Sequence, residues 1–338
     1  MPEIASGQST ESIDRAVALL NAGHLIGLPT ETVYGLAADA DNPEAVRKIF
    51  AAKGRPADHP LIVHLGADDL LSAYATDIPD AAWALAEAFW PGPLTLILKK
   101  APSVPDIVTG GQDTVGIRIP GHPVALTLLR ALAESRRQAG KSGGGLAAPS
   151  ANRFGRISPT SAQHVADELG DAVALILDGG DCRVGIESTI VDLSRGAPVI
   201  LRPGAISAEQ LSLVLGEPIG SKDSVAKDVP RVSGSLASHY APQTPLQVVD
   251  TVTIKDALQG PDRCAAIVRM GVDLEASLLQ RPDVIVLADQ PAAYAHAFYR
   301  VLRELDARDY ARILVQALPE GTDWLAVQDR LGRAAHRD

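Results

Sequence analysis

The sequence predicts an α/β protein: a twisted sheet of mixed strand direction with flanking helices, followed by a smaller three-layer α/β domain. Three observations predict it. Short apolar runs recur between turn signals, with the length and punctuation of strands covered on both faces. Segments whose apolar residues repeat at helical spacing are interleaved with those runs. The chain has 338 residues, more than one core ordinarily organises, and its apolar period lapses over Gly220–Ser238, where Ser, Gly and charge take over. The expected plan is therefore a larger N-terminal domain over 1–219, a linker over 220–243 and a C-terminal domain over 244–338.

In chain order, Ser12–Ala22 carries Ile13, Val17 and Leu20 on one helical face and stops at Gly23. Leu25–Leu28 reads as a strand. Asn42 suits a cap and Pro43 the first turn of a helix over Glu44–Ala52. Leu61–Leu65 is a continuous apolar strand, Pro79–Phe89 an alanine-rich helix ended by Pro91-Gly92-Pro93, and Leu94–Leu98 and Val115–Ile119 two more strands. Pro123–Ala133 reads as a helix, and the basic, glycine-rich Glu134–Gly145 as a surface loop or insertion. Ala147 returns to the sheet. Further strands are expected at Leu175–Leu177, Thr189–Leu193 and Val199–Leu201, with a helix at Ala208–Leu215. Past the linker, Leu246–Val249, Ala265–Val268, Val284–Leu287 and Ile313–Gln316 read as four strands, interleaved with helices at Ala292–Asp306 and Asp323–Arg333.

Composition narrows the function. Hydrophobic residues make up 46% and charged residues 21%, ordinary for a globular enzyme. The formal net charge of -10 argues against broad, charge-driven binding to nucleic acid, which needs a surplus of Lys and Arg. It leaves room for a local cationic pocket. No apolar run approaches the roughly 20 residues that cross a bilayer, and the N-terminus lacks the basic-then-apolar order of a secretory signal. The expected location is cytoplasmic. Cys182 and Cys264 lie far apart without a partner motif, which argues against a disulfide framework or a zinc site.

Polar groups gather at the ends of the predicted strands, where open α/β sheets hold ligands. Thr30, Glu31 and Thr32 follow the first strand, Lys53 and Arg55 precede the next, and His64 lies near its end. Lys53-Gly54-Arg55-Pro56 at a helix end is compatible with a simple partner for the helix dipole. Arg118 in GIRIP and Arg202 in LRPG recur at turns among apolar neighbours, and a buried guanidinium needs an anionic partner. Ser150, Asn152, Ser158 and Thr160 form a hydroxyl and amide cluster; a capped polar turn before AQHVADEL explains it equally well. His64 taken alone reads equally as a satisfied core histidine. No Ser-His-Asp triad and no metal-binding His cluster is evident.

Beyond composition, six collinear blocks carry a resemblance. PTETVYGLAADA with KGRPADHPLIVHL, WPGPLTLIL, TVGIRIPGHP, APSANRFGRISPT, GIESTIVDLS and ILRPGAI stand here in the order found in the YrdC/Sua5 proteins, the threonylcarbamoyl-AMP synthases of tRNA t6A modification. SHYAPQTPL and the tail resemble the longer, Sua5-type members. The resemblance implies a YrdC-like sheet plus a smaller Rossmann-like C-terminal domain, and a nucleotidyltransferase that joins L-threonine, bicarbonate or CO2 and ATP into threonylcarbamoyl-AMP and pyrophosphate. It implies Thr32, His64, Arg118, Ala148 and Ser188 at the amino acid. For ATP it implies Arg55, Thr114, Ser150, Ser158 and Arg202, with Lys53 near the phosphates and His59, Ser235 and Tyr240 as further contacts. His59 stands where these proteins commonly have Asn, and Ser233-Gly234-Ser235 where they often read Pro-Gly-Met before His-Tyr-Ala-Pro. Catalysis is expected to rest on positioning and charge, led by Lys53 and Arg55, with Mg2+ entering on the phosphates and the linker closing over the pocket. The expected partners are these small molecules and the tRNA threonylcarbamoyl transferase machinery, with no membrane and no strong direct nucleic-acid binding. The alternative is an RNA-binding or ribosome-maturation protein of the same fold, against which the acidic balance and the lack of aromatic stacking motifs count.

Overall fold

The computed structural model describes residues 2–222 and 229–336, so 223–228 of the predicted linker lie outside the described residues. The chain forms two compact units. The first comprises Met1–Phe154, Pro159–Arg183 and Glu187–Ser235; the second comprises Gly155–Ser158, Val184–Ile186 and Leu236–Asp338.

In the first unit the elements are β1 (Glu3–Ser6), α1 (Thr10–Asn21), β2 (Ile26–Leu28), β3 (Gly35–Asp39), α2 (Pro43–Lys53), β4 (Ile62–His64), α3 (Leu71–Tyr74), β5 (Ala75–Thr76), α4 (Asp80–Phe89), β6 (Leu94–Lys100), α5 (Asp106–Thr109), β7 (Thr114–Arg118), α6 (Pro123–Gln138), β8 (Leu146–Ala147), α7 (Ala162–Leu169), β9 (Leu175–Asp178), β10 (Thr189–Asp192), β11 (Val199–Arg202), α8 (Ala208–Leu215) and β12 (Gly220–Ser221). The strands join in the order β1-β9-β2-β3-β8-β4-β7-β6-β10-β11-β12, with β5 on β6. Directions are mixed: β4 runs parallel to β7 and β6 to β10, whereas β6 is antiparallel to β7 and β10 to β11. The sheet is covered by helices through two apolar clusters. One unites Val46 and Ile49 of α2 with Leu96 and Ile117, and the other unites Leu20 of α1 with Leu128 of α6 and Leu175.

Several expectations needed correcting. Glu134–Gly145 is not all loop, since α6 continues to Gln138. Its last turn is held by Glu134 pairing with Arg137 and by buried Arg136 pairing with Asp39, while basic residues suit a helix C-terminus. Sheet strands not predicted include β1 and the β3 segment GLAAD, besides the two-residue β5 and β12. Gly and Ala have poor strand propensity, yet β3 is wholly buried and hydrogen-bonded on both edges, by β2 and β8, so tertiary pairing overrides propensity.

The second unit contains β13 (Leu246–Val249), α9 (Thr251–Gln259), β14 (Cys264–Arg269), α10 (Ala276–Leu279), β15 (Val284–Leu287), α11 (Pro291–Asp306), β16 (Arg312–Gln316) and α12 (Leu325–Ala335). Its sheet runs β13-β16-β14-β15, and every pair is parallel. Ala266, Val268 and Leu314 pack on Ile254 and Leu258 of α9 and on Leu278 of α10. The alternating positions are left for the opposite face, where α11 adjoins β15 and α12 adjoins β13. The helix α9, missed in the sequence, is nucleated by Asp250, whose carboxylate accepts from the Thr253 amide at 2.8 Å. Cys182 and Cys264 are both free and buried. No helix among the described residues is long and apolar enough to cross a membrane.

Candidate active site

Strand register aligns the polar groups before any ligand is invoked. His64 pairs with Arg118 across β4 and β7, while Thr95 pairs with Ile190, and Ile190 with Arg202, across β6, β10 and β11. Leu96 pairs with Ile117 in antiparallel register, so Thr95 falls opposite Arg118. Cross-strand neighbours share a face, and residues two apart on a strand share it too, which adds Thr114 and Ser188. Gly116 in the middle of this face carries no side chain; a Cβ there would press on Ile97 at 3.2 Å. The space left, about 10 Å³ between Ile62, Thr114, Ile190 and Ser233, holds roughly one water.

At one end of the row, Thr30 and Thr32 follow β2 in a tight turn, their hydroxyls 2.9 Å apart. The Arg118 guanidinium donates to Thr32 Oγ1 at 2.9 Å and to the Gly92 carbonyl at 3.1 Å. Its Nη2 lies 2.6 Å from Glu31 Oε1, a charge contact with angles outside those of a well-formed hydrogen bond. Burial of Glu31 favours its neutral form, but the Arg118 charge together with hydrogen bonding to the Gly121 backbone and to Arg118 outweighs this and holds the carboxyl below its usual range. Glu31 is thus the anion that the sequence demanded for Arg118, supplied by the protein itself.

His64 is buried beside them, its Nδ1 3.2 Å from the Ile62 carbonyl. Burial, and then the Arg118 charge, push its pKa down to about 3, so it is a neutral imidazole at working pH. The unfolded chain takes up this proton near pH 6.5 and the folded chain resists it, so stability falls as pH drops from about 6.5 towards 3. Melting temperatures followed from pH 7 to pH 4 are expected to fall more steeply for the native chain than for His64→Gln; equal slopes would refute the assignment.

At the other end, α2 delivers Lys53 and ends at Gly54, whose φ of 63° is the left-handed conformation glycine adopts freely. Lys53 is buried and donates to the carbonyls of Ser150 and Asn152, tying the Pro149-Ser150-Ala151-Asn152 turn under the helix end. Burial, then the nearby Arg55 charge, depress its pKa well below that of a free lysine. Arg55 donates to the Pro60 carbonyl at 2.9 Å and to Ser233 Oγ at 3.1 Å, with its guanidinium 5.9 Å from the Phe154 ring centroid. Arg202 donates twice to the Ser188 carbonyl, at 3.1 and 2.8 Å, once to Ser188 Oγ at 3.1 Å and once to the Ser233 carbonyl at 2.9 Å. Ser233 therefore stands between the two guanidiniums, a position sequence reasoning passed over. Nothing in its residue type marks it; it is placed by Gly234, whose φ of 77° lets the chain turn. Ser235 Oγ donates back to the Val232 carbonyl at 2.9 Å, and Val232 packs on Ile97 and Ile190 of the same sheet face.

The remaining positions are placed as follows. His59 is half-buried, edge-on to Phe154 with ring centroids 5.3 Å apart. Ala148 is buried after β8, where a Cβ on Gly35 would come within 3.2 Å of its methyl. Thr32, Lys53, Arg55, His64, Thr114, Arg118, Ala148, Ser150, Ser188 and Arg202 all lie in the first unit. Ser158 and Tyr240 belong to the second unit. There Ser158 is buried and its carbonyl accepts from Arg303 Nε at 3.3 Å, and Tyr240, at a φ of 61°, packs 5.7 Å from Tyr299 and 5.5 Å under Arg330.

This constellation has counterparts. A family model described as "Telomere recombination" matches residues 18–204, and one described as "Threonylcarbamoyl-AMP synthase, C-terminal domain" matches residues 206–336. A protein of Pyrococcus abyssi named threonylcarbamoyl-AMP synthase is 39% identical over 327 residues, covering 95% of this chain and 93% of that one. A protein of Bacillus subtilis with the same name is 39% identical, covering 96% and 92%. The crystal structure of Pyrococcus abyssi Sua5 complexed with L-threonine superposes with a TM-score of 0.86 at 36% identity, covering 99% of this chain and 97% of that one. The chain belongs to the Sua5/YciO/YrdC family, in the long form that adds the Sua5 C-terminal domain.

Proposed function

We infer that this protein is an L-threonylcarbamoyladenylate synthase, a nucleotidyltransferase acting in tRNA t6A formation. The observation that carries the reading is the cross-strand row from His64 and Arg118 through Thr95 to Arg202, which sets a polar end beside a cationic end on one sheet face. Named relatives alike over nearly the full chain supply the identity of the substrates.

The reaction uses a nucleophile carried by the substrate. The threonine amine adds to bicarbonate or CO2, losing a proton and, from bicarbonate, water, to give an N-carboxylate. A carboxylate oxygen then bonds to the α-phosphorus of ATP while the bond from that phosphorus to the β-phosphoryl oxygen breaks, releasing pyrophosphate. No protein nucleophile is required; the chain must position and neutralise. Arg118 offers a guanidinium to the α-carboxylate, Thr32 and neutral His64 take the small hydroxylated side chain, and Ala148 and Ser188 complete that end. Lys53, Arg55 and Arg202 take the phosphates, which carry Mg2+ in with them as part of the substrate, with Thr114, Ser150, His59 and Ser235 as further nucleotide contacts. The product passes in the cytoplasm to the transferase that modifies tRNA.

Pyrophosphate release is expected only when ATP, L-threonine and bicarbonate are all present, with threonylcarbamoyl-AMP detected by mass spectrometry. Release that persists without threonine and bicarbonate would sink the reading.

A further inference from the structure

Thr95 is buried at the centre of the row, with 0% of its surface exposed, and has no assigned part in the chemistry above. Its Oγ1 lies 2.8 Å from Ser188 Oγ, which also receives Arg202 Nη2 at 3.1 Å. A guanidinium only donates, so Ser188 Oγ is an acceptor towards Arg202 and its own proton is free to go elsewhere. The two hydroxyls own two protons and their mutual bond consumes one. Neither hydroxyl has another protein acceptor among the described residues, so one O–H of the pair is left without a protein acceptor. A buried donor without an acceptor is costly, and this one sits between Arg118 and Arg202 on the shared face.

We propose that Thr95 is a positioning residue for the reaction, holding the Ser188 hydroxyl so that the spare proton of the pair is donated to an anionic oxygen of the amino-acid substrate, its α-carboxylate or the N-carboxylate formed from it. This rests on the function inferred above. The register supports it, because Thr95 falls opposite Arg118 across β6 and β7, and a carboxyl oxygen bound there completes what the hydroxyl pair lacks. Thr95 also explains how Ser188, at the very start of β10, is kept from rotating towards solvent.

Thr95→Val keeps the shape and removes the hydroxyl. It is expected to lower kcat/KM for L-threonine about 10- to 100-fold, the loss of a hydrogen bond to a charged group, while leaving the KM for ATP within about twofold. Thr95→Ser, which restores the hydroxyl, should recover to within about threefold of the native chain. If the valine variant fails to fold, Thr95→Ala serves in its place. The inference is overturned if the hydroxyl-free variant matches the native chain, if the KM for ATP rises as much as that for threonine, or if serine does not rescue. The functional reading fails separately, in the same assay, if the native chain shows no threonine-dependent pyrophosphate release.

Discussion

Arg118→Met is expected to destabilise the first unit by about 3–5 kcal/mol and to abolish measurable threonine binding. The stability loss does not come from the missing ion pair as such. It comes from Glu31, a carboxylate with both oxygens buried and Arg118 as its charged partner at 2.6 Å, which would be left as an uncompensated charge. Thr32 Oγ1 and the Gly92 carbonyl would lose their donor as well. The compensated variant Arg118→Met/Glu31→Leu removes both charges and should regain most of the lost stability, since a matched apolar pair in place of a buried ion pair is often neutral. It should not regain activity, because no guanidinium remains for the α-carboxylate. Urea midpoints and calorimetric threonine titration of the two variants decide the point. A single variant as stable as the native chain would show that Glu31 is not held as an anion.

Lys53→Met is expected to reduce kcat by about 100- to 1,000-fold, the range for removing one preorganised donor from developing charge. An ammonium has three N–H donors, and two of those on Lys53 are taken by the Ser150 and Asn152 carbonyls. The third is uncommitted among the described residues and is the one available to a phosphate. Methionine preserves the stem and packing but strands two carbonyls, so a stability loss of about 1–3 kcal/mol should accompany the rate loss. Threonine affinity in the absence of ATP should be unchanged, because the Lys53 hydrogen bonds go to the Ser150 and Asn152 carbonyls and not to Thr32, His64, Arg118 or Ser188. Steady-state kinetics with both substrates varied separates the effects; a raised KM for threonine at unchanged kcat would contradict the placement.

Much of this molecule is legible in its residue pattern. The helices at Glu44–Ala52, Pro79–Phe89 and Ala292–Asp306 announce themselves by caps, period and prolines, and continuous apolar runs mark β4, β6, β7 and the four strands of the second unit. Those signals are local, carried by dihedral preference and by which side chains avoid water. The segments misread are those where local preference is weak or contrary. GLAAD becomes a strand because two neighbours leave its backbone no other way to pair, and Glu134–Gln138 stays helical because Arg136 is anchored on Asp39 far away in sequence.

The candidate site divides along the same line. By itself the sequence determined which chemical groups are present: the hydroxyls of Thr30, Thr32 and Ser188, the cations of Lys53, Arg55, Arg118 and Arg202, and the two cysteines with no partner motif. Only the tertiary structure decided who meets whom. Glu31 neutralises Arg118, Ser233 stands between Arg55 and Arg202, and Thr95 pairs with Ser188 across strands 93 residues apart in sequence. Those meetings depend on strand order and register, in which a shift of one residue would turn the strand residues Thr95, Arg118 or Arg202 to the other face, and no local preference in the chain encodes that choice.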